Sequence, residues 1–272
     1  MLETRLPNDR AVFCPNPLEV PIIFEQITSY SRHGFDVKEG DTIFDVGANI
    51  GLFSLTACDW GRRSVKIFAF EPIPATFRAL KANAERHQLR EFVPLQYAVS
   101  RQRGEETFTY YPLAMAMSTA HPYDVDSDNV LKRGFRNILP QLPRFLRWIE
   151  RLPPRPQAVT LRLLLKIILH GRRVACRTIS LSDAIREHGI DQVDLIKIDV
   201  EKAEFEVLQG IDPPDWKKVQ KIVIEVHDIE GRLNAVVDVL RSHGLQDVVC
   251  QQEPEMKEFG VFTVFARRRT GS

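Results

Sequence analysis

Residues 41–60 read DTIFDVGANIGLFSLTACDW, and the fold turns on them. Residues 41–46 are apolar and β-branched, the composition of a short buried strand. They run directly into Gly47-Ala-Asn49-Ile-Gly51, where two glycines permit a tight turn and a close backbone approach to a ligand. Residues 51–60 then read as a helix packed on a sheet. In open α/β sheets, ligands bind outside the carboxyl ends of the strands. The turn is therefore a candidate ligand site on positional grounds alone.

Working outward, the alternation of strand and helix continues. Residues 66–70 (KIFAF) are a second strand ending at Glu71-Pro72. Residues 74–88 are amphipathic, with Phe77, Leu80 and Ala84 on one face, and residues 92–99 give a third strand. The pattern resumes at Ser180-Leu-Ser-Asp183, which resembles a capping box opening a helix to His188, stopped by Gly189. Strands follow at 193–199 (VDLIKID) and 219–227 (VQKIVIEVH), with a short helix at 203–209 between them. A helix over 231–243 places Leu233, Val236, Val237 and Leu240 on one face. Residues 245–250 and 260–266 close the chain as an antiparallel strand pair. The expected fold is α/β and Rossmann-like: a seven-stranded, mostly parallel sheet with helices on both faces and a helical insertion.

Three regions follow from this reading. Residues 1–40 are a helical or extended lead-in. Residues 41–110 and 176–272 form the core. Residues 111–175 are a basic helical insertion above the carboxyl edge of the sheet, serving as a substrate cap. Between Leu131 and Arg177 there are twelve Lys or Arg and one acid, Glu150. Segments such as LRLLLKIILHGRR (161–173) look like amphipathic basic helices.

Composition excludes several classes. With 272 residues the chain can bury a sizeable core, and a net charge of +1 names no polyanionic partner. Cys14, Cys58, Cys176 and Cys250 have no metal-ligand spacing and read as reduced thiols. The first residues are charged where a signal peptide is apolar, and no apolar run reaches the length of a membrane span. The expected location is cytoplasmic.

The turn also discriminates between cofactors. A dinucleotide site needs GxGxxG, with pyrophosphate on a helix N-terminus, and a phosphate loop needs GK[ST]. Here Asp45, two residues before Gly47 of a GxxxG spacing, would repel a pyrophosphate. It suits the amino group and sulfonium of S-adenosylmethionine. Glu71 at the end of the second strand can accept both ribose hydroxyls. Asp45, Gly47, Asn49, Gly51, Glu71, Pro72 and Asp199 are the expected cofactor contacts.

FDVGANIGLFSL, FAFEP, LIKIDVEKAEFEVLQGI and IVIEVHD occur in this order. Together they resemble the FkbM family of methyltransferases, over residues 41–110 and 176–266. The resemblance implies a class I methyltransferase fold, S-adenosylmethionine as methyl donor, and usually O-methylation. The basic insertion resembles that of family members from polyketide and nonribosomal peptide biosynthesis, where acceptors can be tethered to carrier proteins. Lys202 departs from the pattern, standing where many members have glycine.

For a hydroxyl acceptor, the protein must position the oxygen and remove its proton. His227 is the expected general base, assisted by Glu225 or Asp199; a satisfied core histidine is the alternative. Asp199 and Glu201 end the fourth strand on the side of Lys197, with a helix-opening acid as the alternative reading of Glu201. Asp199, Glu225, His227 and Asp228 also make a set able to ligate Mg²⁺, although the preferred reading has no metal. Met117, Ser118, Thr119 and His121, with Met115 and Tyr123 nearby, are expected at the acceptor pocket beside Lys197 and Glu201. The acceptor is expected to be a hydroxyl on a specialised metabolite or carrier-tethered chain. The insertion is a solvated face or a dock for an acidic carrier protein, and a membrane-surface contact through residues 161–170 is disfavoured because stable anchoring usually needs more than one signal. Nucleic acid is disfavoured because its aromatics are few. N-methylation and a non-catalytic module that keeps the cofactor fold are the other readings.

Overall fold

The computed structural model describes residues 1–30, 33, 35–122, 148–149, 151–253, 257 and 260–269. Expectations for Tyr123, for 123–147 and for Glu150 lie outside these. The chain opens with a hairpin, β1 (Leu2–Arg5) and β2 (Ala11–Cys14), then α1 (Val20–Ser29). The glycine-turn unit follows as β3 (Thr42–Val46), α2 (Leu52–Trp60), β4 (Lys66–Phe70), α3 (Pro74–Arg86) and β5 (Phe92–Leu95). Next come β6 (Ala98–Val99), β7 (Gly104–Tyr110), α4 (Pro154–Ile168) and β8 (Arg172–Ile179). The second half runs α5 (Leu181–Glu187), β9 (Leu195–Ile198), α6 (Glu204–Gln209), α7 (Pro213–Trp216) and β10 (Lys221–His227). It ends with α8 (Arg232–Ser242), β11 (Asp247–Gln251) and β12 (Val261–Arg267).

Seven strands form one sheet in the order β11-β12-β10-β9-β3-β4-β5. Five are parallel, and β12 runs antiparallel between β10 and β11. The chain moves outward from β3 through β4 to β5, then returns to place β9 on the other side of β3. This reversal opens a crevice at the carboxyl ends of β3 and β9, where such sheets bind ligands.

Both faces of the sheet are covered, so its parallel strands are apolar on both sides. Phe44, Val46, Phe68 and Ile196 pack with Leu181, Ile185, Val207, Val236 and Leu240 from α5, α6 and α8. Ile43, Ile67, Leu195 and Val223 pack with Val20, Ile27, Leu52, Leu55 and Leu80 from α1, α2 and α3. Asp45 and Lys197 share the second face and lie opposite one another in the β3–β9 register. Two polar groups thus enter an otherwise apolar layer just below the crevice. Ser180 caps α5 as expected, its hydroxyl accepting the Asp183 N–H at 3.0 Å.

Two sequence readings need correction. The strand expected over 92–99 is two strands in different sheets. Tyr97 N–H turns back to the Leu95 carbonyl, and β6 leaves to pair with β8. The basic stretch 161–173 is helical only to Ile168. Gly171 then passes so close to β7 that a Cβ would meet Thr109 at 2.3 Å. Arg172 and Arg173 begin β8, which pairs along all of β7. Among the described residues, no helix is long and apolar enough to cross a membrane.

Candidate active site

The glycine turn is held from three sides. The Gly47 and Ala48 N–H groups donate to the Phe70 carbonyl at the end of β4, and Lys197 Nζ donates to the Gly47 carbonyl at 2.8 Å. Asp199 N–H donates to the Val46 carbonyl, drawing the end of β9 against the turn. This approach explains the first glycine, because a Cβ on Gly47 would lie 1.8 Å from the Asp199 carbonyl oxygen. Gly47 and Gly51 also have φ of +75° and +87°, a left-handed conformation that penalises a side chain.

Polar atoms beside the turn are incompletely satisfied. Asp45 is fully buried; its Oδ2 accepts the Ser54 hydroxyl at 2.7 Å, while its Oδ1 accepts no hydrogen bond. Asn49 Oδ1 is likewise buried without a partner. Buried acceptors cost free energy unless something fills them, so a ligand donor is the natural complement. Glu71 differs from expectation in one respect. Its Oε1 already accepts the Ile73 N–H and the Thr76 hydroxyl, and its Oε2 accepts the Asn49 N–H. Only Oε2 keeps a lone pair for a ribose hydroxyl, so a contact through both oxygens is not available. Burial pushes the Glu71 carboxyl up to about 7, against the pull of these hydrogen bonds. Pro72 follows it, with its carbonyl facing the Cys176 thiol.

Lys197 lies beneath the turn rather than at an open acceptor site. It is buried, 3.4 Å from Asp45 and 3.5 Å from Asp199. Burial works against its ammonium, but the two carboxylates outweigh it and raise its pKa. Asp199 is raised by burial, partly offset by Lys197. Tyr30, from the end of α1, donates to Asp199 Oδ2 at 3.5 Å.

The ends of β9 and β10 bring Asp199, Glu201, Glu225 and His227 together, as the spacing anticipated. The partners of His227 are different ones, however. Its Nδ1 is 2.7 Å from Glu204 Oε1 and its Nε2 is 3.3 Å from Glu201 Oε2. Burial disfavours the imidazolium, yet hydrogen bonds to Glu201 and Glu204 push the His227 pKa up to about 11. A group that keeps its proton at neutral pH cannot take another from a hydroxyl, which runs against the expected general-base role. Glu225 is pushed up to about 8 by burial and by the charges of Asp199 and Glu201. Asp228 turns away from the cluster to accept the Leu233 N–H at the start of α8. Among the described residues, the groups placed to share a metal are Glu201, Glu225 and His227, with Glu201 in the set and both Asp199 and Asp228 outside it.

Glu201 is presented by a left-handed pair, with φ of +51° at Glu201 and +79° at Lys202. Three bonds hold this turn. Thr119 Oγ1 donates to the Glu201 carbonyl, Arg232 to the Lys202 carbonyl, and Lys202 N–H to Glu204 Oε1. Thr119 thus secures the loop rather than offering a free hydroxyl. Ser118 Oγ accepts the Tyr111 N–H, Met117 packs with Tyr111 and Leu169, and His121 is exposed. Glu19 accepts the Met115 and Ala116 N–H groups, tying α1 to this loop.

Sequence reading missed Glu204, Arg232, Tyr30 and Glu19. Only Glu204 carried a signal, as an acid in the first turn of the helix after Glu201. The others reach the site through tertiary contacts.

Comparisons agree with this architecture. The Methyltransferase FkbM domain family matches residues 45–246. The chain is 37% identical over 270 residues to 31-O-demethyl-FK506 methyltransferase FkbM of Streptomyces tacrolimicus, covering 98% of this chain and 97% of that one. It is 35% identical over 257 residues to AMB antimetabolite synthetase AmbE of Pseudomonas aeruginosa; the match spans 90% of this chain but only 11% of that synthetase. Methyltransferase sdnD of Sordaria araneosa is 30% identical over 270 residues, covering 93% of this chain and 91% of that one. Among solved structures, methyltransferase FkbM from Methylobacillus flagellatus superposes with a TM-score of 0.52 at 12% identity, over 91% of this chain and 52% of that one. The sheet is that of a class I methyltransferase, and the chain belongs to the FkbM family of S-adenosylmethionine-dependent methyltransferases.

Proposed function

We propose that this enzyme O-methylates a hydroxyl of a specialised metabolite, free or tethered to a carrier protein. The observation that carries the reading is the carboxylate cluster of Asp199, Glu201 and Glu225 beside the glycine turn. A hydroxyl acceptor must lose a proton in the reaction, whereas a neutral amine attacks without prior deprotonation. Glu225, with its raised pKa, is the proton acceptor in this cluster. His227, fixed by Glu201 and Glu204, holds the cluster's geometry.

When bound beside Asp45, Asn49, Glu71 and Asp199, S-adenosylmethionine would supply a methyl carbon activated by its sulfonium, and Glu225 would take the proton that the acceptor hydroxyl loses. The residues present fit this group. Asn49 Oδ1 is an unfilled acceptor, Asp45 Oδ1 has only the Lys197 ammonium at 3.4 Å, Glu71 Oε2 keeps room for one ribose hydroxyl, and Gly47 and Gly51 clear the backbone. Lys197 keeps Asp45 and Asp199 together, and their charges favour a cationic ligand over a phosphate.

Two relatives support the acceptor class. One is named for methylation at an oxygen, and another carries the matching region inside a synthetase. For a tethered acceptor, α4 offers a docking face. Its exposed Val159, Leu163 and Ile167 repeat every fourth residue beside Arg155, Arg162 and Lys166, suiting an acidic partner. The test is product analysis after incubation with labelled S-adenosylmethionine and hydroxylated probes, including 31-O-demethyl-FK506. Label on oxygen is expected; label on nitrogen in amine-bearing probes only would overturn the reading.

A further inference from the structure

We propose that Glu19 and Tyr30, at the two ends of α1, are positioning residues that hold the loop of residues 111–119 at a set distance from the methyl donor. Glu19 stands just before the first turn of α1 and Tyr30 just after its last. At a rise of about 1.5 Å per residue they lie about 16 Å apart along the helix. One helix thus reaches from that loop to the carboxylate beside the glycine turn.

The Glu19 carboxylate gathers three donors. Its Oε1 accepts the Met115 N–H and the Asn16 side-chain amide, both at 2.9 Å, and its Oε2 accepts the Ala116 N–H at 3.1 Å. Asn16 also donates to the Leu113 carbonyl at 3.1 Å. Hydrogen bonds to a charged acceptor are the stronger kind, so this end grips the middle of the loop firmly. At the other end Tyr30 is buried, its ring edge-on to Phe53 of α2 with centroids 6.0 Å apart. Its hydroxyl donates to Asp199 Oδ2 at 3.5 Å. Burial and the charges of Asp199, Glu225 and Asp45 raise its pKa well above the usual value, so it keeps the proton it donates. Asp199 is bonded through its own N–H to Val46, and its side chain stays 31% exposed, open to a ligand. Between the two ends, Val20 and Ile27 seat α1 in the same core layer as Leu52 and Leu55 of α2.

Transfer needs the acceptor atom about 3–3.5 Å from the methyl carbon, and a 1 Å misplacement costs about a hundredfold in rate. The loop meets the donor side at one further point, where Thr119 donates to the Glu201 carbonyl. Thr119 fixes the end of the loop, whereas α1 fixes its middle. A ligand on Asp199 therefore bears on Tyr30, and through α1 on the Met115 and Ala116 amides. The use of this link in catalysis rests on the methyl-transfer reading above and on the place of the loop beside the acceptor; the link itself does not.

The test is amide hydrogen exchange of the full chain, free and saturated with S-adenosylhomocysteine, with saturation checked by calorimetry. In the wild type the ligand should slow exchange at residues 45–51. It should also slow Met115 and Ala116 at least about fivefold, the lower end of the usual coupling between sites. In Tyr30→Phe the slowing at Met115 and Ala116 should be lost, while that at residues 45–51 stays and shows the fold intact. Sites more than about 7–10 Å apart ordinarily act independently, so a lost hydroxyl with a purely local role would leave those two amides unchanged. Glu19→Ala, at the far end of the helix, should lose the ligand-dependent slowing in the same way. Slowing at Met115 and Ala116 that survives Tyr30→Phe overturns the proposal and gives the link to Thr119 or to the ligand itself. A wild type that binds S-adenosylhomocysteine without slowing these amides also overturns it, and leaves the methyl-transfer reading standing. A wild type that binds no S-adenosylhomocysteine overturns the donor site, and the link with it.

Discussion

At neutral pH the His227 imidazole carries a proton, because Glu201 and Glu204 bracket its two nitrogens. Glu225 is the group that changes charge in the working range, near pH 8. As a proton acceptor it works only when ionised. Methyl transfer should therefore rise with pH, about tenfold per unit below the Glu225 pKa, and level off above it. Glu225→Gln should abolish that rise and lower the rate at least a hundredfold, within the usual range for a lost acid–base group. Stopped-time assays across pH 6–10 read both effects. A residual rise in Glu225→Gln would hand the proton to another group. Lys197 carries a different prediction. It is a buried cation between two carboxylates, and deleting one member of a buried charge set costs about 3–5 kcal/mol. Lys197→Met should lose stability of this order in urea unfolding, and cofactor affinity should fall with it.

At the scale of elements, the turn after β9 stores strain. Glu201 and Lys202 are both left-handed, and a non-glycine residue there costs roughly 1–2 kcal/mol. Glycine removes the strain at Lys202 but adds chain entropy to the unfolded state, worth about 0.5–1 kcal/mol. Lys202→Gly should then stabilise the protein by up to about 1 kcal/mol, measured by urea midpoint. A loss of similar size would show that the Lys202 Nζ contact to the His121 carbonyl outweighs the strain. This turn was only partly readable in the sequence. Glu225 and His227 lie on β10, where alternation sends both to one side, but Asp199 and Glu201 lie past the end of β9, and a left-handed turn rather than strand alternation presents Glu201. Of their partners only Glu204 left a signal, as an acid opening the next helix; Arg232 and Thr119 arrive from two distant segments. Likewise β3, β4 and β10 were readable from continuous apolar runs. The break between β5 and β6 was not, since the apolar pattern continues across residues 92–99 while the chain changes sheets. Strand β8 was hidden because its exposed Arg172 and Arg173 look like the end of the basic helix.

Across the whole molecule, three buried groups link stability to pH in one direction. Glu71 and Glu225 keep their protons to about 7 and about 8, against 4.5 in the unfolded chain, and His227 keeps its proton to about 11, against 6.5. In each case the folded state holds the proton more tightly. The stability each contributes is complete below its unfolded pKa and is lost as pH rises through its folded pKa. Melting temperature should therefore fall from pH 6 to pH 9, and less steeply in Glu225→Gln. A melting temperature that climbs over this range would contradict the proposed charge states. The most direct measurement is calorimetric titration of S-adenosylmethionine into the wild type, Gly47→Ala and Glu225→Gln. One site is predicted in the wild type. It should be lost in Gly47→Ala, whose Cβ would strike the Asp199 carbonyl, and retained in Glu225→Gln. No binding to the wild type, or equal binding to Gly47→Ala, would contradict the account.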